Sequence, residues 1–105
     1  MFRREAGRSF TGGADGRFPW AGLIRDPAGN LYGTTLNGGI RSLLGVVFKL
    51  DTAGAETVLY SFTGGAEGAN PYAGLAGDSL GNLYGTTADV GIQGAGNGAV
   101  FKLTP

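Results

Sequence analysis

Apolar and polar positions alternate along this chain in short runs, each closed by glycine, proline, aspartate or asparagine. Gly22-Leu23-Ile24-Arg25 and Asn30-Leu31-Tyr32-Gly33-Thr34-Thr35 flank Asp26-Pro27-Ala28-Gly29. In that loop proline presets one turn dihedral, glycine admits positive φ, and the aspartate oxygen accepts from turn amides. The pattern predicts a hairpin. Val46-Val47-Phe48-Lys49-Leu50 and Glu56-Thr57-Val58-Leu59-Tyr60-Ser61-Phe62 flank Asp51-Thr52-Ala53-Gly54-Ala55 and predict a second. There Val58, Tyr60 and Phe62 alternate with Leu59 and Ser61 at the strand period. Further runs at Gly74 to Ala76, Asn82 to Thr87 and Ala99 to Leu103 repeat the series without its last strand. The expected core is Leu23, Leu31, Val47, Phe48, Leu50, Val58, Tyr60, Phe62, Leu75, Leu83, Val100, Phe101 and Leu103.

The recurrence is a true internal repeat. Ser9 to Thr35 matches Ser61 to Thr87 at 19 of 27 positions with an offset of 52 residues. After a divergent loop the copies rejoin one residue out of step, at Val47-Phe48-Lys49-Leu50 and Val100-Phe101-Lys102-Leu103. The indel places that loop on the surface. Residues 1–8 are expected to be a basic, poorly ordered segment, 9–60 the first repeat and 61–105 the second. Four antiparallel strands in about 50 residues is the arithmetic of a β-propeller blade. The expected fold is therefore all-β, two propeller-type blades forming a partial ring, with a compact eight-stranded barrel or sandwich as the alternative.

Composition sharpens this. Glycine supplies 22 of 105 residues, about three times ordinary usage. The longest glycine-free stretch beyond the start, Ala55 to Thr63, is nine residues, below the ~11–12 of an average helix. The recurring glycines are expected to mark turns and strand borders. Neither the triplet period of collagen nor the charge of a disordered chain is present. The chain has no cysteine and no histidine, which removes disulfides, thiolate chemistry, the common zinc sites and Ser-His or Cys-His nucleophiles. No run reaches the ~18 apolar residues of a membrane helix, and the arginines near Met1 precede no apolar stretch of a signal peptide. Formal charge is zero, but residues 1–52 carry seven basic and four acidic side chains, and residues 53–105 one and four. That polarity favours head-to-tail contact between repeats, whereas nucleic-acid binding needs a larger basic, aromatic face.

The runs G-N-L-Y-G-T-T and V-F-K-L, with E-T-V-L-Y-S-F-T-G-G-A-E-G-A-N-P-Y-A-G-L, resemble the Gloeo-Verruco (GloVer) tandem repeat over Ser9 to Pro105. The resemblance implies propeller-like β-structure in bacterial proteins that are secreted or surface anchored, and brings no catalytic residues with it. The chain departs from the pattern in having two copies, no visible signal or anchor, and Leu43-Leu44 in a loop usually rich in glycine and asparagine. The start, Met1 to Arg8, lacks the β-branched residues of its counterpart before Ser61; Met1 is expected to be a truncated or artificial start.

Four side chains are candidates for ligand binding. Trp20 and Tyr72 hold equivalent places after a proline, where an aromatic ring can stack on a sugar or simply anchor the loop. Asp15 and Glu67 lie in Gly-Gly-Ala-acid-Gly loops that suggest calcium, but each loop offers one carboxylate where such sites need several oxygens. No metal or cofactor is expected. Asp26 and Asp78 read as turn-building carboxylates. Thr34, Thr35, Thr86 and Thr87 offer hydroxyls without a base to activate them, and Lys49 and Lys102 point away from their phenylalanine neighbours. No phosphate-binding glycine motif is present. The expectation is a non-catalytic structural or binding module, a fragment of a longer bacterial extracellular repeat protein. Its expected partners are other copies of the repeat and, through Trp20 and Tyr72, carbohydrate; neither nucleic acid nor a membrane span is expected. The alternatives are part of a propeller hydrolase or lyase, or a carbohydrate-binding module.

Overall fold

Short apolar alternations joined by Asp-x-x-Gly loops pair with one another in sequence order. The computed structural model describes residues 10–11, 13–14, 16, 19, 21–39, 44–63, 69–71, 73–88 and 98–105. Among these the strands are β1 (Ile24–Arg25), β2 (Leu31–Thr35), β3 (Val46–Leu50), β4 (Glu56–Ser61), β5 (Ala76–Gly77), β6 (Leu83–Thr87) and β7 (Ala99–Leu103), with no helix. They form two antiparallel sheets, β1-β2-β3-β4 and β5-β6-β7. The all-β expectation holds. The barrel alternative does not, because the described strands make two open sheets. The first strand of the second repeat is also displaced, to Ala76–Gly77 from the expected Gly74 to Ala76. The basic segment 1–8 lies outside the described residues.

The two sheets share one register. Gly33 faces Phe48, Thr34 faces Val47 and Tyr32 faces Lys49; Gly85 faces Phe101, Thr86 faces Val100 and Tyr84 faces Lys102. Because side chains alternate across a strand, each sheet has a Phe face (Leu31, Gly33, Thr35, Val46, Phe48 and Leu50 in the first) and a Val face (Tyr32, Thr34, Val47 and Lys49). The buried cluster joins Val47, with Ile24, Tyr32 and Tyr60 at its edge, to Leu75, Leu83 and Phe101, with Leu103. The Val face of the first sheet thus packs on the Phe face of the second. Phe62 is fully buried and meets Phe101 edge-on at 5.1 Å. Phe10, its counterpart, meets Phe48 at 5.0 Å.

Three expected core residues are exposed: Leu23 (54%), Val58 (37%) and Val100 (78%). For Val58 the reason is local. A β-bulge at Leu59 puts Val58 opposite Phe48 but Tyr60 opposite Val47, so these two lie on different faces despite their even spacing. Leu44, Val46, Ala69 and Thr35 are buried instead. Gly33 and Gly85 correct the reading of glycine as border: both sit in mid-strand, under the ring of Phe48 or Phe101, where close approach excludes a side chain.

Asn70 ties the repeats together. It has a positive φ of 58°, and its N–H donates to Leu44 O at 2.8 Å while its O accepts from Ala88 N at 3.1 Å. Its Nδ2 donates to Leu36 O at 2.9 Å. Thr35 and Thr87 close the ladders through their hydroxyls, which accept from Val46 N (3.2 Å) and Ala99 N (3.1 Å). Thr34 differs, for its Oγ1 is buried with no hydrogen-bond partner. A buried unsatisfied hydroxyl costs about 1–3 kcal/mol. Thr34→Val is therefore expected to raise stability by about 1 kcal/mol, and Thr86→Val, at the exposed counterpart, to change it by less than about 0.5 kcal/mol. Thermal melts compare them; a lower midpoint for Thr34→Val contradicts the expectation.

Candidate functional site

Polar side chains gather where the first hairpin of each repeat turns. Asp26-Pro27-Ala28-Gly29-Asn30, Asp51-Thr52-Ala53-Gly54-Ala55 and Asp78-Ser79-Leu80-Gly81-Asn82 are one loop used three times. In each, the aspartate O accepts from the glycine N at 3.0, 3.0 and 3.2 Å, and the aspartate N donates to the fifth residue's O at 3.0, 2.9 and 3.1 Å. Glycine takes φ of 94°, 88° and 88° at the fourth position, a conformation other residues adopt at a cost. The proline at position 27 sits where a turn favours it.

What separates the first and third loops from the second is asparagine at the fifth position and tyrosine two further on. Asp26 accepts from Asn30 N at 2.9 Å, Asn30 Nδ2 at 3.0 Å and Tyr32 OH at 2.8 Å. Asp78 accepts from Leu80 N (3.0 Å), Asn82 N (3.0 Å), Asn82 Nδ2 (2.9 Å) and Tyr84 OH (2.9 Å). A carboxylate offers about four lone-pair sites, so Asp78 is filled. The Asn30 side chain, then Tyr32, holds the Asp26 carboxyl down at about 2 despite some desolvation. The Asn82 side chain, then Tyr84, does the same for Asp78, also about 2. The same bonds push both phenols above their usual range.

These shifts set a pH dependence. Each carboxyl titrates lower folded than unfolded, so its contribution is complete above the unfolded value near 4 and is lost as pH falls toward 2. The tyrosines run the other way: their contribution is complete below about 10 and is lost as pH rises further. The unfolding midpoint is expected to fall between pH 4 and 2 in the intact chain, and to depend less on pH when Asp26→Asn and Asp78→Asn are combined. A midpoint that stays flat down to pH 2 in the intact chain contradicts the network.

Between the two loops lies a cleft of about 350 Å³, bordered by Arg25, Asp26 and Tyr32 on one side and by Asp78, Asn82 and Leu83 on the other. Tyr32, Gly81 and Leu83 also border a second hollow of about 390 Å³, which reaches Lys49, Leu59 and Leu103. Lys102 lies outside both, its Nζ 5.7 Å from the Tyr84 ring centroid, which agrees with lysines opposite phenylalanines. Among the described residues no three carboxylate, histidine or cysteine side chains converge as a metal site, and no helix is long and apolar enough to cross a membrane.

Trp20, Tyr72, Asp15 and Glu67 lie outside the described residues. Gly16 N donates to Gly13 O at 3.0 Å. Asp26 and Asp78 do build turns, as their position before Gly-Asn implies. The tyrosine in each clasp and the role of Asn70 escaped the sequence reading. A recurring Asp-to-Tyr spacing of six residues was a signal for the first; for Asn70 there was none, since Phe18 stands at its counterpart.

A family model described as the Gloeobacter/Verrucomicrobia repeat matches residues 4–105. No curated protein and no solved structure matches the chain.

Proposed function

The chain belongs to the Gloeobacter/Verrucomicrobia repeat family, and on that premise we propose that it is a non-catalytic module whose sheets stack as consecutive propeller-type blades in an extracellular bacterial protein. Its role in this reading is structural, a scaffold that presents loops to partners. The blade arrangement is supported by the sequential order β1-β2-β3-β4, its repetition in β5-β6-β7, and the packing of one sheet's Val face on the next sheet's Phe face. The extracellular assignment is supported by the resemblance to repeats of secreted and surface-anchored proteins.

One observation carries the non-catalytic reading. Both carboxylates at the cleft are occupied in building their own turns, and the clasps move them to about 2, away from the neutral range in which a general acid or base works. Incubation of the chain with chromogenic glycosides, esters and lyase substrates is expected to give no turnover. Turnover that disappears when Asp26→Asn and Asp78→Asn are combined overturns the proposal.

A further inference from the structure

The contact between the two sheets is made in part from surfaces that the chain owns twice. In the junction, Val47 and Thr34 of the first sheet's Val face are 0% and 1% exposed. Their counterparts on the second sheet are open: Val100 is 78% exposed, and Thr86 and Lys102 are exposed beside it. The other side of the junction behaves in the same way. Leu75 and Leu83 of the second sheet are each 7% exposed, while their counterparts are Leu23 at 54% and the half-buried Leu31. Each end therefore shows one half of a contact whose other half stands at the opposite end.

The open half at the first sheet is already shaped for such a partner. Phe10 sits edge-on to Phe48 as Phe62 sits on Phe101. The part of the Phe face that a preceding repeat's last aromatic covers is thus filled, and the part that a preceding sheet covers, around Leu23 and Leu31, is open.

We propose that the Val100 face of the second sheet docks the Leu23 face of a second copy of this chain, head to tail, reproducing between chains the junction seen within one. The proposal rests on the stacked-module reading above. Such a contact uses different surfaces on its two sides, so it propagates into a ring or a filament instead of stopping at a symmetric pair.

Sedimentation velocity on the full chain from about 1 µM to about 1 mM tests it with two variants, Val100→Asp and Leu23→Asp. Both residues are exposed, and circular dichroism checks that the fold survives. The intact chain is expected to associate with rising concentration, and each variant alone to be weakened about tenfold or more. Mixing the two variants leaves one intact Val100 face and one intact Leu23 face, so a dimer that grows no further is expected. A monomer throughout the range, unchanged association in either variant alone, or a mixture that stays monomeric overturns the proposal. A folded, inactive monomer sinks the docking alone and leaves the module reading standing; turnover of a substrate sinks the latter.

Discussion

Phe62→Ala is expected to lower stability by about 3–5 kcal/mol, and the unfolding midpoint by more than about 10 °C. Phe62 is fully buried, lies edge-on to Phe101 at 5.1 Å and to Tyr60 at 5.2 Å, and its N–H donates to Gly45 O at 3.0 Å. The ring leaves the end of β4 and enters the Phe face of the other sheet, so its loss opens a void in the junction itself. Edge-to-face pairs add about 0.5–1.5 kcal/mol beyond area. Phe10→Ala provides the comparison within the same molecule. That ring has the same geometry on Phe48 but is only half-buried, and its removal is expected to cost less than half as much. Equal losses in denaturant titrations of the two variants contradict the account.

Gly85→Ala is the second large effect, about 1–3 kcal/mol in the destabilising direction. Replacing glycine by alanine ordinarily stabilises slightly through the unfolded chain. Here a Cβ would stand 2.5 Å from Phe101 Cζ and 3.0 Å from Leu75 Cδ2. Phe101 cannot swing aside, because Phe62 packs against it in the cluster. Shrinking the ring is expected to relieve the conflict, so Gly85→Ala and Phe101→Leu together should cost less than the sum of the two alone. A double-mutant cycle reads this as a coupling of about 1 kcal/mol or more; strictly additive costs contradict the steric explanation. Gly33, whose Cβ would meet Phe48 Cζ at 2.8 Å and Leu23 Cδ2 at 2.7 Å, follows the same rule with an exposed leucine that can yield.

The duplicated glycine-to-phenylalanine pairing shows what was legible in the chain and what was not. The repeat was readable by identity, and β3 and β7 have the bounds that V-F-K-L and its neighbours indicate, since their alternation is strict. The turns were readable as well, because Asp, Pro and Gly stand where turn geometry uses them. Gly33 was misread because glycine at a strand border and glycine beneath an aromatic ring look alike until the partner strand is known. The bulge at Leu59 was hidden for a related reason: alternating apolar residues fit a regular strand, and the extra residue is set by pairing with β3. Leu23 and Val100 were assigned to the core by their apolar character and their equivalence to Leu75 and Val47. Equivalence in sequence does not carry equivalence in burial when each repeat has a neighbour on a different side. At the candidate site, Asp26 and Asp78 were legible as turn residues, whereas the phenol that completes each clasp came from a strand reading of Tyr32 and Tyr84 that assigned them no polar partner.

Asn70 has a consequence for how the molecule opens. Its backbone amide and its side-chain Nδ2 donate across the repeats, to Leu44 O and Leu36 O, and neither belongs to a strand ladder. Fraying of a hairpin leaves these bonds in place; only separation of the repeats breaks them. Their hydrogen exchange therefore clocks the parting of the two sheets, distinct from the melting of either one. Asn70 thus adds a polar tie to the apolar junction of Val47, Phe62 and Phe101, and its amide reports when that junction opens.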